Sequence, residues 1–309
     1  MGFAAVTTLG LLGIYRLAQR ILSPARAFTA VFSDAVSTPN VKAARAPREG
    51  EGDAAVEQAP PSLGAPAPQR ARRLLRVGEV LAVFAIAASV VKNCLGGDLA
   101  RDAMLVAAYG LAGLLLLSIF GRLGVRLLFG SSLTDEIERG NVAAGVAAGG
   151  HYVAVGLLVS RAAAGDDLKS LGLVLVFFTL SQLSHQLLVA LFRALTTYDD
   201  AEQITGENVA AALSYAGISV AVALIIARAL EGDFNGWSAS LRGFGLMVAY
   251  ALVLYPVRQI VVQSLLLGGR LSLRGGTIDR AIAVHRSEGT AAMEAVTCLA
   301  TALTITTLA

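Results

Sequence analysis

The chain has 309 residues, of which 55% are apolar and 15% charged. Soluble domains carry about 25% charged residues, so the composition points to a membrane protein. Two cysteines exclude a disulfide scaffold, and the formal charge of +3 resides in the N-terminal quarter, which argues against a basic nucleic-acid-binding fold.

Residues 1–33 read as an amphipathic or membrane-anchoring helix. Gly2 to Tyr15 is mostly apolar until Arg16 and Arg20 interrupt it. The favoured arrangement lies flat at the interface with both arginines toward headgroups. The alternative spans the bilayer with the arginines snorkelling. Residues 34–76 form a Pro/Ala-rich basic linker, and seven of the eight prolines precede residue 70. With few large apolar side chains to bury, the linker is expected to be disordered. Arg70, Arg72, Arg73 and Arg76 close it. They read first as a topology signal and second as a site for anionic lipid.

Residues 77–309 form the third unit. A span needs roughly 20 apolar residues to cross the hydrocarbon core. Seven stretches qualify, at about 77–95, 103–129, 141–162, 169–195, 208–230, 240–267 and 288–308. The fold class is therefore an all-α polytopic membrane protein with seven spans and one further N-terminal candidate. Counting Lys and Arg on alternate sides gives 19 against 6, which puts the linker in the cytoplasm.

The spans repeat. Asp135-Glu136-Ile137-Glu138-Arg139-Gly140-Asn141-Val142-Ala143-Ala144 aligns without a gap, at an offset of 67, with Glu202 to Ala211. Asn141 matches Asn208, and Gly150 matches Gly217. A weaker copy aligns Glu288-Gly289-Thr290 with Glu207-Asn208-Val209. Gly-Asp turns at Gly97, Gly165 and Gly232 mark the outer ends. Each unit is a hairpin of a small-residue helix and a bulkier one. Pairs such as Ala144/Ala148, Gly145/Gly149, Ala212/Ala216 and Ala291/Ala295 favour close helix approach, so these helices are expected inside and the bulky ones outside.

An acidic lead-in, then Ile-x-x-x-Asn-Val-Ala-Ala and a Gly nine residues past the Asn, resembles the "domain of unknown function 350" family. The resemblance covers about residues 78–309 and is best over 133–232. It implies a bacterial inner-membrane protein of unestablished biochemistry, with relatives near envelope-stress or peptide-tagging systems. The chain departs from the family pattern in having seven spans rather than about four. It also has Gly289 in place of the motif Asn, no such Asn at the first span, and a Pro-rich N-terminus.

Two groups of residues are candidates for function. At the cytoplasmic mouth, Asn141 and Asn208 lie near Asp135, Glu136, Glu202 and Glu207. Asn caps a helix, and acids complement its N-terminal dipole. The sharper reading is a pseudo-symmetric polar site for a cation or headgroup. Inside the spans lie Glu79, His185, Gln186, Arg258, Gln259 and Glu294, which are costly in lipid. His185 reads first as a hydrogen-bonded packing residue. Glu294 needs a partner or a proton. If its helix meets that of Glu79, the two acids would form a proton or cation site with an arginine such as Arg122 or Arg258. Pro256 should kink or open the sixth span.

No zinc-ligand spacing, phosphate loop or nucleophile motif occurs, so neither an enzyme nor a metal or other cofactor is expected. The expected partners are the lipid bilayer and, through the small-residue faces, further copies of the chain; no nucleic acid is expected. The leading function is a non-enzymatic scaffold or envelope-stress component. The alternative is a channel or transporter for an ion or small solute, built from parallel hairpin repeats. A dry, packed centre favours the scaffold, and a water-accessible path past Glu294 and Asn208 favours transport.

Overall fold

The computed structural model describes residues 67–129, 132–163, 167–231 and 234–309, together with Gly10 and Gly13. The readings of residues 1–33 and 34–66, and of the Gly165 and Gly232 turns, lie outside the described residues. The described chain is all α, and seven helices are long and apolar enough to cross a membrane.

The helices run in chain order as α1 (Ala67–Cys94), α2 (Leu99–Phe129), α3 (Ser132–Arg139), α4 (Val142–Ala162), α5 (Leu171–Ala194) and α6 (Asp200–Thr205). They continue as α7 (Val209–Arg228), α8 (Trp237–Ala251), α9 (Leu254–Val257), α10 (Thr277–Ala283) and α11 (Glu288–Leu308). A π-helical segment, Arg258–Leu266, extends α9. Helix α1 begins ten residues before the hydropathy rises. Ala71 is fully buried against the backbone of Gly145, which holds these early turns down. Arg70, Arg72, Arg73 and Arg76 thus lie on a helix, exposed, rather than in a linker.

Four small-residue helices form a row in the order α1, α4, α7, α11, each packed chiefly on the next. Gly78 meets Gly149, Gly156 meets Ala82, Gly150 meets Ala216 and Gly217 meets Ala295. A Cβ on any of these glycines would collide with its neighbour, so the small-residue spacing sets how closely the axes approach. The bulkier α2, α5 and α8 pack on the outside of the row. Burial follows position: 72% of the α4 core window and 67% of that of α7 is buried, against 28% for α11. Helix α11 is an end member of the row rather than an enclosed helix.

The sixth span is broken. Helix α8 ends at Ala251, and α9 and the π-helical segment follow around Pro256. Proline removes a backbone donor and clashes with the carbonyl four residues earlier. The wider turns that follow direct Arg258, Gln259, Val262 and Gln263 inward.

Candidate functional site

Three short lead-in helices, α3, α6 and α10, precede α4, α7 and α11 and share one construction. The residue before each cap has left-handed backbone: Gly140 (φ 99°), Glu207 (φ 61°) and Arg286 (φ 48°). The cap follows as Asn141, Asn208 or Ser287, accepting from Ala144, Ala211 and Thr290 respectively. The third copy therefore aligns Ser287 with Asn208, not Gly289. Packing agrees, because Ala216 and Ala295 each lie eight residues past their cap and fill equivalent glycines.

Both asparagines are buried and fully used. Asn141 Nδ2 donates to Glu136 (3.0 Å) and to the carbonyl of Ile204 in the next lead-in helix (2.8 Å). Asn208 Nδ2 donates to Gln203 (2.7 Å) and to the carbonyl of Ile282 (2.9 Å). Each asparagine caps its own helix and ties it to the next repeat. Glu136 joins this network and pairs with Arg139. Asp135, Glu202 and Glu207 are exposed and make no part of it. The mouth is thus a set of structural ties rather than an open headgroup site.

The intramembrane candidates divide into three places. Glu79 lies on α1 beside Arg122 and Tyr152. Glu294 lies on α11, at the other end of the row. The structure does not bring the two acids together, because α4 and α7 separate their helices. Glu294 is fully buried and pairs instead with Arg258. Arg258 also donates to Asp279 of α10 at 2.7 Å. Asp279 accepts from the Thr197 amide (2.7 Å) and hydroxyl (3.1 Å). Gln259 touches the Tyr255 hydroxyl at 3.1 Å.

Next to this triad, buried Asp200 accepts from Arg193 at 3.0 Å. Burial pushes its carboxyl up to about 6, against the opposing pull of Arg193. Burial also raises the Tyr198 phenol. Two adjoining crevices share Phe192, Thr196 and Ile218; one is lined by Tyr255, Arg258 and Cys298, the other by Tyr198, Asp200, Ser214 and Tyr215.

His185 and Gln186 belong to a different cluster. His185 Nε2 contacts the Ser219 carbonyl at 3.0 Å, and its ring lies 6.2 Å from that of His151. Both rings are fully buried. With a backbone carbonyl as its partner, His185 is a hydrogen-bonded packing residue. His185 and Arg258 sit in separate clusters.

Sequence reasoning missed His151, Tyr198, Asp200, Gln203 and Asp279 as members of these clusters. Asp200 and Asp279 were legible as lead-in acids, but their burial was not. Among the described residues, no group of three or more His, Cys, Asp or Glu side chains is arranged to hold a metal ion. Cys94 and Cys298 are buried on the two end helices of the row, and neither forms a disulfide among the described residues.

Comparison with known proteins locates this architecture. The profile of the family described as Domain of Unknown Function (DUF350) matches residues 71–163 and again residues 166–308. The first match holds α1 to α4, and the second holds α5 to α11. No curated protein and no solved structure matches the chain. The chain belongs to the DUF350 family and carries two tandem copies of its domain.

Proposed function

We propose that this protein is a non-enzymatic scaffold of a bacterial inner membrane that serves an envelope-stress response. One observation carries the reading: the row α1–α4–α7–α11 is tightly packed where a conduit would have to run. Its seams are Gly-on-Ala and Gly-on-Gly contacts, and Asn208 and Glu294 are fully buried within the packing. Asn141 and Asn208 tie successive repeats into one rigid unit. Such a unit holds its cytoplasmic end in a constant shape, as a platform requires. The exposed Arg70, Arg72, Arg73 and Arg76 would hold the start of α1 to anionic lipid, at about 1 kcal/mol per charge. The less-buried end helices would serve self-association.

A second reading, ion or small-solute transport, is favoured by the buried Arg258–Glu294–Asp279 triad. One experiment separates the two. The full chain is purified from native membranes in lipid nanodiscs, and in parallel reconstituted into vesicles loaded with ion-sensitive dyes. The scaffold reading expects a protein partner in fixed stoichiometry, lost on deletion of residues 1–66, and no flux above empty vesicles. Flux that disappears in Glu294→Gln would overturn it.

A further inference from the structure

The connections into the lead-in helices are unequal. Residues 195–199 join α5 to α6, whereas residues 267–276, twice as many, join the π-helical segment to α10. The longer connection ends in Gly268-Gly269-Arg270-Leu271-Ser272-Leu273-Arg274-Gly275-Gly276, a five-residue tip bracketed by glycine pairs. Gly268 (φ 64°), Gly275 (φ 74°) and Gly276 (φ 124°) have positive φ, which lets the chain turn out of the span and back.

Polar side chains of the broken sixth span hold the tip in one shape. Gln263 donates to the Arg270 carbonyl at 2.7 Å, and the Tyr255 hydroxyl donates to the Leu273 carbonyl at 2.8 Å. The Ser272 hydroxyl donates to the Arg274 carbonyl at 2.6 Å, and Arg274 Nε donates to the Thr196 carbonyl at 3.3 Å. A Cβ on Gly276 would collide with the Gln263 amide, so the loop closes directly over that side chain. Polar groups within a span are costly, and here Gln263 and Tyr255 satisfy the backbone of the loop.

The side chains of the tip face outward. Leu271 is 62% exposed and Leu273 is 88% exposed, and Arg270 and Arg274 are exposed beside them. Exposed Leu265 and Leu266 end the sixth span just before the loop, so the leucines continue the lipid-facing surface of that span. At the end of a span the hydrocarbon gives way to headgroups. No acid occurs between Gly268 and Gly276, and neither arginine is ion-paired among the described residues.

We propose that the 268–276 loop is a binding site for an anionic phospholipid, with Leu271 and Leu273 among the acyl chains and Arg270 and Arg274 on the phosphate. Apolar contact anchors such a segment at the interface, and the two positive charges select the headgroup. The site is separate from the arginines that open α1 and does not depend on the scaffold reading.

Photo-crosslinking of the full chain in phosphatidylcholine nanodiscs doped with a photoreactive phosphatidylglycerol tests this. Label should appear in the 268–276 peptide and fall roughly fivefold in Arg270→Gln and in Arg274→Gln. It should be unchanged there in Arg242→Gln, an exposed arginine toward the other end of the same span. Absence of label in this peptide, equal labelling by a photoreactive phosphatidylcholine, or labelling indifferent to both loop variants would overturn the proposal. So would loss of the label on adding inorganic phosphate, which would mark a site for a free anion instead.

Discussion

Substituting Asn208 separates two jobs that one side chain performs. Its Oδ1 caps α7 by accepting from Ala211, and its Nδ2 donates to the Ile282 carbonyl of the next repeat. Losing a cap costs about 1 kcal/mol. Leaving the Ile282 carbonyl without a donor costs about 1–3 kcal/mol in a soluble interior. Hydrogen bonds between membrane helices average nearer 0.6 kcal/mol, because the unfolded chain in lipid also finds partners. Asn208→Ala removes the cap and the Nδ2 bonds to Ile282 and Gln203, so about 2 kcal/mol is expected. Asn208→Ser keeps an acceptor for the cap and loses only the Nδ2 bonds, so about 1 kcal/mol is expected. Reversible unfolding in bicelles titrated with denaturing detergent measures both. Equal losses for the two variants, or a loss below about 0.5 kcal/mol for Ala, would refute the division of labour between the two atoms.

Four further outcomes follow from the structure. Asp200 holds its proton up to about pH 6, against 3.8 for a free side chain. Between these values the unfolded chain ionises while the native one does not, so native stability falls as pH rises from about 4 to about 6, by roughly 3 kcal/mol. Asp200→Asn should flatten that part of the stability profile, and an unchanged slope would exclude Asp200 as its source. Gly217→Val drives a side chain into Ala295 and should cost about 1–3 kcal/mol or more in thermal unfolding. Gly243→Ala on α8, where a Cβ meets nothing, should be neutral or stabilising by about 0.5–1 kcal/mol. Glu207→Gly relieves left-handed backbone that costs a side-chain-bearing residue about 1–2 kcal/mol, so a small gain in melting temperature is expected.

Much of the molecule was readable in the sequence because lipid imposes one-dimensional rules. A span must be long, apolar and internally hydrogen-bonded, so hydropathy alone located the seven helices. The 67-residue offset paired Asn141 with Asn208 and Gly150 with Gly217, and these pairs do play equivalent parts. The third copy was aligned two residues off. Residue identity drew Asn208 toward Gly289, whereas the capping hydrogen bond and the left-handed residue before it select Ser287. Glu79 and Glu294 were joined on paper because both sit on small-residue helices, and the order of the row keeps them apart.

By itself, the sequence determined the helical class, the seven spans among the described residues, the repeat and the small-residue helices that pack against one another. Those properties depend on residues near in sequence and on a solvent that penalises bare backbone. Only the tertiary structure decided which charges are paired. Arg258 reaches Asp279 over 21 positions and Glu294 over 36, and Asn208 reaches the Ile282 carbonyl over 74. Such contacts depend on helix rotation and on the break around Pro256. No local pattern encodes either, because they are set by how glycines on one helix admit alanines from the next.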